Sequence, residues 1–188
     1  MRISVIVATA ALMLTGGCTE REQKPVPRRR AYPRVELPDT TMQPAPGVPL
    51  VMPVNSSAKV SSRQAGWLDV TYPSLGATLH VTFTPINSRE ELEAVKANRM
   101  QRLLLNAGER GGEGSEYMNE HGFDIYLLRA EGVATPVQFL ATDDSAWVVS
   151  GAAYFDMAPG PGAVDSLRPM VDAVERDVIK SLDGLCRR

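Results

Sequence analysis

The sequence predicts an α+β domain, an antiparallel sheet of five to seven strands packed by two main helices, and three observations carry that prediction. Between Ala77 and Ile86, Leu79, Val81 and Phe83 alternate with Thr78, His80, Thr82 and Thr84, the period of a strand with one buried face. Near the C-terminus, Leu167, Val171, Val174, Val178, Leu182 and Leu185 recur at helical spacing, a continuous apolar face. From Ser115 to Phe155, runs of strand character are separated by turn residues rather than by helices, which favours antiparallel over parallel pairing.

The first elements are not part of that domain. Arg2 precedes an apolar run from Ile3 to Leu14, and Thr15, Gly16 and Gly17 lead into Cys18. The run is shorter than the roughly 20 residues a spanning helix needs, and small residues before a cleavage point mark a secretion signal. Cleavage before Cys18 would leave this cysteine as a lipidated N-terminus, although Thr15 stands where lipoprotein signals usually place leucine. Residues 1–17 are thus expected to be a signal peptide and 18–54 a tether, with a single globular domain over 55–188. The tether reading rests on Pro25, Pro27, Pro33, Pro38, Pro44, Pro46, Pro49 and Pro53, since proline removes backbone donors and favours extended chain. Within it Lys24, Arg28, Arg29, Arg30 and Arg34 form a basic cluster suited to anionic headgroups or an acidic partner. Tyr32, Val35 and Leu37 are apolar enough to pack along the domain.

The domain is expected to open with a strand over Gly66–Pro73, a turn at Pro73–Gly76, and a second strand over Ala77–Ile86. Ser88 and Glu91 have the spacing of a capping box, so a helix should run from Arg89 to Asn106 with Leu92, Val95, Met100, Leu103 and Leu104 on its apolar stripe. Strands follow at Ser115–His121, Phe123–Ala130, Thr135–Thr142 and Ala146–Phe155. The last two form a hairpin that sets Val137, Phe139 and Ala141 opposite Trp147, Val149 and Gly151. Small Gly151, Ala152 and Ala153 would let a helix approach. In the closing helix Asp165 or Ser166 is the cap, Pro169 lies in the first turn, and Asp172, Glu175, Arg176 and Lys180 face solvent.

Chemistry is sparse. Lys+Arg number 20 against 22 Asp+Glu, for a net charge of −2, with no clustered basic face to hold nucleic acid. The two histidines, His80 and His121, have no HxxxH, HxxE or CxxC partner spacing for a zinc site. No GxSxG elbow is present, and Ser150 falls in mid-strand. With Cys18 lipidated, Cys186 is the one remaining thiol, three residues from a C-terminus expected to fray. No catalytic residue, metal or cofactor is expected.

Several blocks in order carry a family resemblance: Arg30-Ala31-Tyr32-Pro33-Arg34-Val35-Glu36-Leu37-Pro38, Trp67 to Pro73, Thr84-Pro85-Ile86, Thr135 to Asp143, Gly151 to Phe155, and Asp165 to Pro169. The chain resembles the gliding motility-associated lipoprotein GldD family of Bacteroidetes. It departs from that pattern over Val48 to Val60, where an aromatic-rich strand is replaced by Val51-Met52-Pro53-Val54-Asn55, so the first strand should be weak. The resemblance implies an envelope lipoprotein of gliding and type IX secretion machinery, periplasm-facing, with envelope proteins as partners and no catalytic residues to carry over. Element order is similar to Mog1 or PsbP. Arg28, Arg29, Arg30, Tyr32, Trp67, Tyr72 and Tyr154 are the candidate partner-binding residues. The alternatives are a small-ligand or peptidoglycan-binding module presenting Tyr72, Tyr154 or Trp147, and a hydrolase pairing His80 or His121 with Ser150 or a carboxylate.

Overall fold

A computed structural model describes Val35, Leu37 and residues 41–62, 64–109, 111–156 and 163–188, with side chains from residue 167 in the last stretch. Contacts divide the chain into two units, Met1–Ala31 and Tyr32–Arg188, and the first lies outside the described residues. The elements in order are β1 (Met42–Pro44), β2 (Pro53–Asn55), β3 (Lys59–Ser61), β4 (Trp67–Tyr72), β5 (Ala77–Pro85), α1 (Arg89–Asn106), β6 (Glu113–Met118), β7 (Asp124–Arg129), β8 (Val137–Thr142), β9 (Trp147–Phe155) and α2 (Ala163–Asp183). The fold is α+β: one antiparallel sheet in the order β3-β4-β5-β9-β8-β7-β6, a small β1-β2 sheet, and two helices.

The helices pack on opposite faces of the large sheet. Alternation along β5 sends Leu79, Val81 and Phe83 to one face, where they join Val70, Phe139 and Val149 beneath Val171, Val174, Val178 and Leu182 of α2. The other face carries Leu128, Leu140 and Val148, which Leu92 and Leu103 of α1 cover. These two crossings follow from topology. β5 lies inside the sheet, and α1 carries the chain out to edge strand β6; the meander β6-β7-β8-β9 then returns to β5, and α2 crosses the opposite face.

Local chemistry explains the helix ends. Ser88 Oγ accepts from the Glu91 N–H at 3.1 Å, and the Glu91 carboxylate reaches back to the Asn87 N–H at 2.8 Å, one residue beyond the Ser88 amide that a capping box uses. The C-terminus of α2 is capped from outside: Asn119 Nδ2 donates to the carbonyls of Leu182 and Leu185 at 2.8 and 2.9 Å, satisfying acceptors a helix leaves orphaned.

Several expectations are corrected. The tether does not extend to residue 54: Ala45, Val48, Leu50, Met52 and Val54 are all buried in the core beside α2, and Val35 and Leu37 pack against the same core. Prolines there shape an irregular covering loop that has no period to read. In line with the weak strand expected over Val48 to Val60, β2 and β3 there have three residues each. The β8-β9 register is shifted by two: Val137 pairs with Ala153, Phe139 with Gly151 and Ala141 with Val149, which keeps every side chain on its expected face. Gly151 receives the Phe139 ring rather than a helix, since a Cβ there would overlap that ring. Leu104 is 53% exposed and leaves the apolar stripe. Helix α2 starts at Ala163, so Asp165 and Ser166 fall in its first turn and Pro169 lies inside it. Cys186 does not fray: its backbone exchanges hydrogen bonds with Val51 at 2.9 and 3.0 Å.

Candidate functional site

Helix α1 covers only part of its sheet face, and the rest is a polar and aromatic platform. Cross-strand partners share a face. On β4 and β5, Trp67 lies opposite Thr82, Asp69 opposite His80, and Thr71 opposite Thr78. On β9, Ser150, Ala152 and Tyr154 continue those three rows. Trp67 is 52% and Tyr154 44% exposed, two large rings on rigid strands without a helix above them. Four residues along a strand and two strand spacings separate their backbones, which places them about 16 Å apart.

His80 sits between them. Its Nδ1 is 2.6 Å from Asp69 Oδ1, where the carboxylate accepts the ring proton, and its ring meets Tyr154 edge-on with centroids 5.3 Å apart. A hydrolase needs a base, an orienting group, a nucleophile within reach and donors for an oxyanion. Asp69 and His80 supply the first two. Ser150 lies on the diagonal from His80, but among the described residues no hydrogen bond joins them. The flanking strands β5 and β9 are paired on both sides, which commits their N–H groups to the ladder and leaves no donor pair aimed out of this face. His121 is apart from the platform, exposed on the β6-β7 turn, where its N–H bonds to Asn119 Oδ1 at 3.0 Å.

A second concavity lies at the other end of the same face, a groove of about 470 Å³ between α1 and strands β6 to β8. Met100, Met118, Tyr126 and Leu140 give it an apolar floor, with Glu116 and Asp124 at the strand side and Lys96 on the helix. Across the sheet, the main core occupies the contact of α2 with the strands, apart from a small pocket of about 30 Å³ beside Arg129, Pro136, Leu167 and Val171.

The residues singled out by sequence do not all gather on the platform. Trp67 and Tyr154 do. Tyr72 does not: it is 1% exposed, because β4 turns it toward α2, where its hydroxyl donates to Asp177 Oδ2 at 2.7 Å. The same carboxylate accepts from Asn55 Nδ2 at 3.0 Å. Burial, with the Asp177 charge behind it, pushes the Tyr72 phenol far above its ordinary range. Trp147 is half-buried and packs against the main core. Cys18, Arg28, Arg29, Arg30 and Tyr32 lie outside the described residues. Sequence reasoning passed over Asp69; the alternation that put His80 on the outer face also put Asp69 there, but the β4-β5 register was needed to bring them together.

Among the described residues, no group of three His, Cys, Asp or Glu side chains is placed to hold a metal ion, and no helix is long and apolar enough to cross a membrane. No curated protein matches the chain. The family model described as gliding motility lipoprotein GldD matches residues 22–185, a span that takes in the platform, the groove and both helices. The chain therefore belongs to the gliding motility lipoprotein GldD family, which implies a part in gliding motility and a membrane-anchored place in the cell envelope.

Proposed function

We propose that this lipoprotein is a non-catalytic assembly component of the gliding motility machinery or the type IX secretion apparatus, and that it docks an envelope protein on the open half of its sheet. One observation carries the reading: among the described residues, Trp67 and Tyr154 are exposed on a sheet area that neither helix covers. Aromatic side chains on rigid strands lose little entropy when a partner covers them, and such residues dominate interface energies. Diacylglycerol on Cys18 holds the chain at a membrane, facing the periplasm. Arg28, Arg29 and Arg30 add attraction to anionic headgroups, about 1 kcal/mol per charge near such a surface.

Affinity purification from crosslinked envelopes tests this. The wild type should recover a defined set of envelope proteins, and Trp67→Ala with Tyr154→Ala should lose them while remaining folded. Recovery of the same set by the double variant would contradict the reading. Cys18→Ala should take up no labelled palmitate and leave the membrane fraction; continued labelling would remove the anchor.

A small-ligand or peptidoglycan-binding module is the second reading, and the groove beside α1 favours it, since about 470 Å³ falls within the size range of small-molecule sites. Soluble peptidoglycan fragments that raise the melting temperature would support it.

A further inference from the structure

We infer that the free edge of β6, with the groove beside it, is a strand-addition site for an extended segment of another protein in which basic and apolar residues alternate. The two ends of the sheet differ in how they are protected. At one end β3 is only three residues long and carries Lys59, two devices that discourage edge pairing. At the other end β6 is six residues long, pairs with β7 alone, and contains neither proline nor lysine. Among the described residues, nothing pairs with its outer row of backbone donors and acceptors, which is open to a further strand.

The side chains beside that edge state what the added strand should carry. Register places Glu116 opposite Tyr126 and Met118 opposite Asp124, so all four look toward α1. Gly114, next along the same face, has no side chain to displace the Tyr126 ring, which lies where a Cβ would stand. The floor is therefore apolar, formed by Tyr126, Met100, Met118 and Leu140. The charge is one-sided. Lys96 is held by Asp144 at 3.1 Å, whereas Glu116 and Asp124 have no cationic partner among the described residues. Lys or Arg at alternate positions of an added strand would meet these carboxylates, and main-chain bonds to β6 would supply the affinity common to strand addition. A second copy fits less well, because β6 carries Glu113 and Glu116 and no lysine or arginine to meet those carboxylates.

Fluorescence anisotropy on the full-length protein in a neutral detergent tests this, with a labelled heptapeptide alternating Lys or Arg with Val as probe. Saturable binding is expected. Glu116→Gln with Asp124→Asn should weaken it by about tenfold, and a Glu/Val heptapeptide should not bind. A basic peptide N-methylated on alternate amides keeps its charge but loses its edge donors, so it should not bind either. Equal binding of the methylated peptide, no effect of the charge substitutions, or no binding of the basic peptide would each overturn the inference. Trp67→Ala with Tyr154→Ala should leave peptide binding unchanged, which separates failure here from failure of the open-face reading.

Discussion

The Tyr72 hydroxyl on β4 donates to Asp177 Oδ2 on α2 at 2.7 Å, and both residues are buried. Asn55 on β2 donates to the other carboxylate oxygen at 3.0 Å, so one side chain of α2 ties the large sheet and the small sheet to the helix. A carboxylate in the core is tolerable only while its partners remain.

Tyr72→Phe should therefore cost about 2 kcal/mol in urea unfolding at neutral pH. Its signature is in alkali. Burial holds the folded phenol far above the ordinary value of 10.0, so above about pH 10 the unfolded chain releases a proton that the folded chain keeps. Stability should then fall as pH rises above the unfolded value. The Phe variant lacks this group, and its disadvantage relative to wild type should shrink above pH 10. A constant difference from pH 8 to 11 would contradict the assignment.

Gly151 and Phe139 form a cross-strand pair in which the ring occupies the space of the missing side chain. Gly151→Val should destabilise by about 1–3 kcal/mol through overpacking. Phe139→Leu also costs stability, but the two losses should sum to less than their separate values, because the smaller side chain relieves the clash. A strictly additive double-mutant cycle would show that the pair does not touch in this way.

Asp143 organises the β8-β9 turn. Its Oδ1 accepts from the N–H groups of Ser145, Ala146 and Trp147 at 3.1, 2.9 and 2.9 Å, and Oδ2 accepts from Arg187 Nε at 2.7 Å. Burial pushes the carboxyl up, but the three amides and the guanidinium together outweigh it and hold the acid below its ordinary 3.8. A depressed folded value stabilises above the unfolded value, and the gain is lost as pH falls through the folded one. Asp143→Asn should cost about 1–2 kcal/mol at pH 7, a difference that narrows below pH 3.8. Persistence of the full difference at pH 2 would contradict this.

Much of the fold was legible because it obeys a period. Leu79, Val81 and Phe83 went where alternation sent them, Val171, Val174, Val178 and Leu182 line the core side of α2, and helix α1 has the predicted limits Arg89–Asn106. Part of what failed had no period. Val48, Leu50 and Met52 lie among prolines, and nothing local distinguishes a tether from a loop that fills a core. Tyr72 was read as an exposed binding residue, while its place in the β4 alternation with Leu68 and Val70 pointed inward, where its hydroxyl meets Asp177. The same parity rule put Trp67 on the outer face. Whether a helix covers that face depends on where α1 crosses, and no spacing in the sequence states that.

Site-specific photocrosslinking tests the docking surface most directly. A benzophenone amino acid at Thr82, between Trp67 and Ser150 on the open face, should yield a discrete adduct with another envelope protein in intact cells, and Trp67→Ala should abolish it. The same probe at Arg176, exposed on α2, should give none. An adduct from position 176 with none from position 82 would contradict the account.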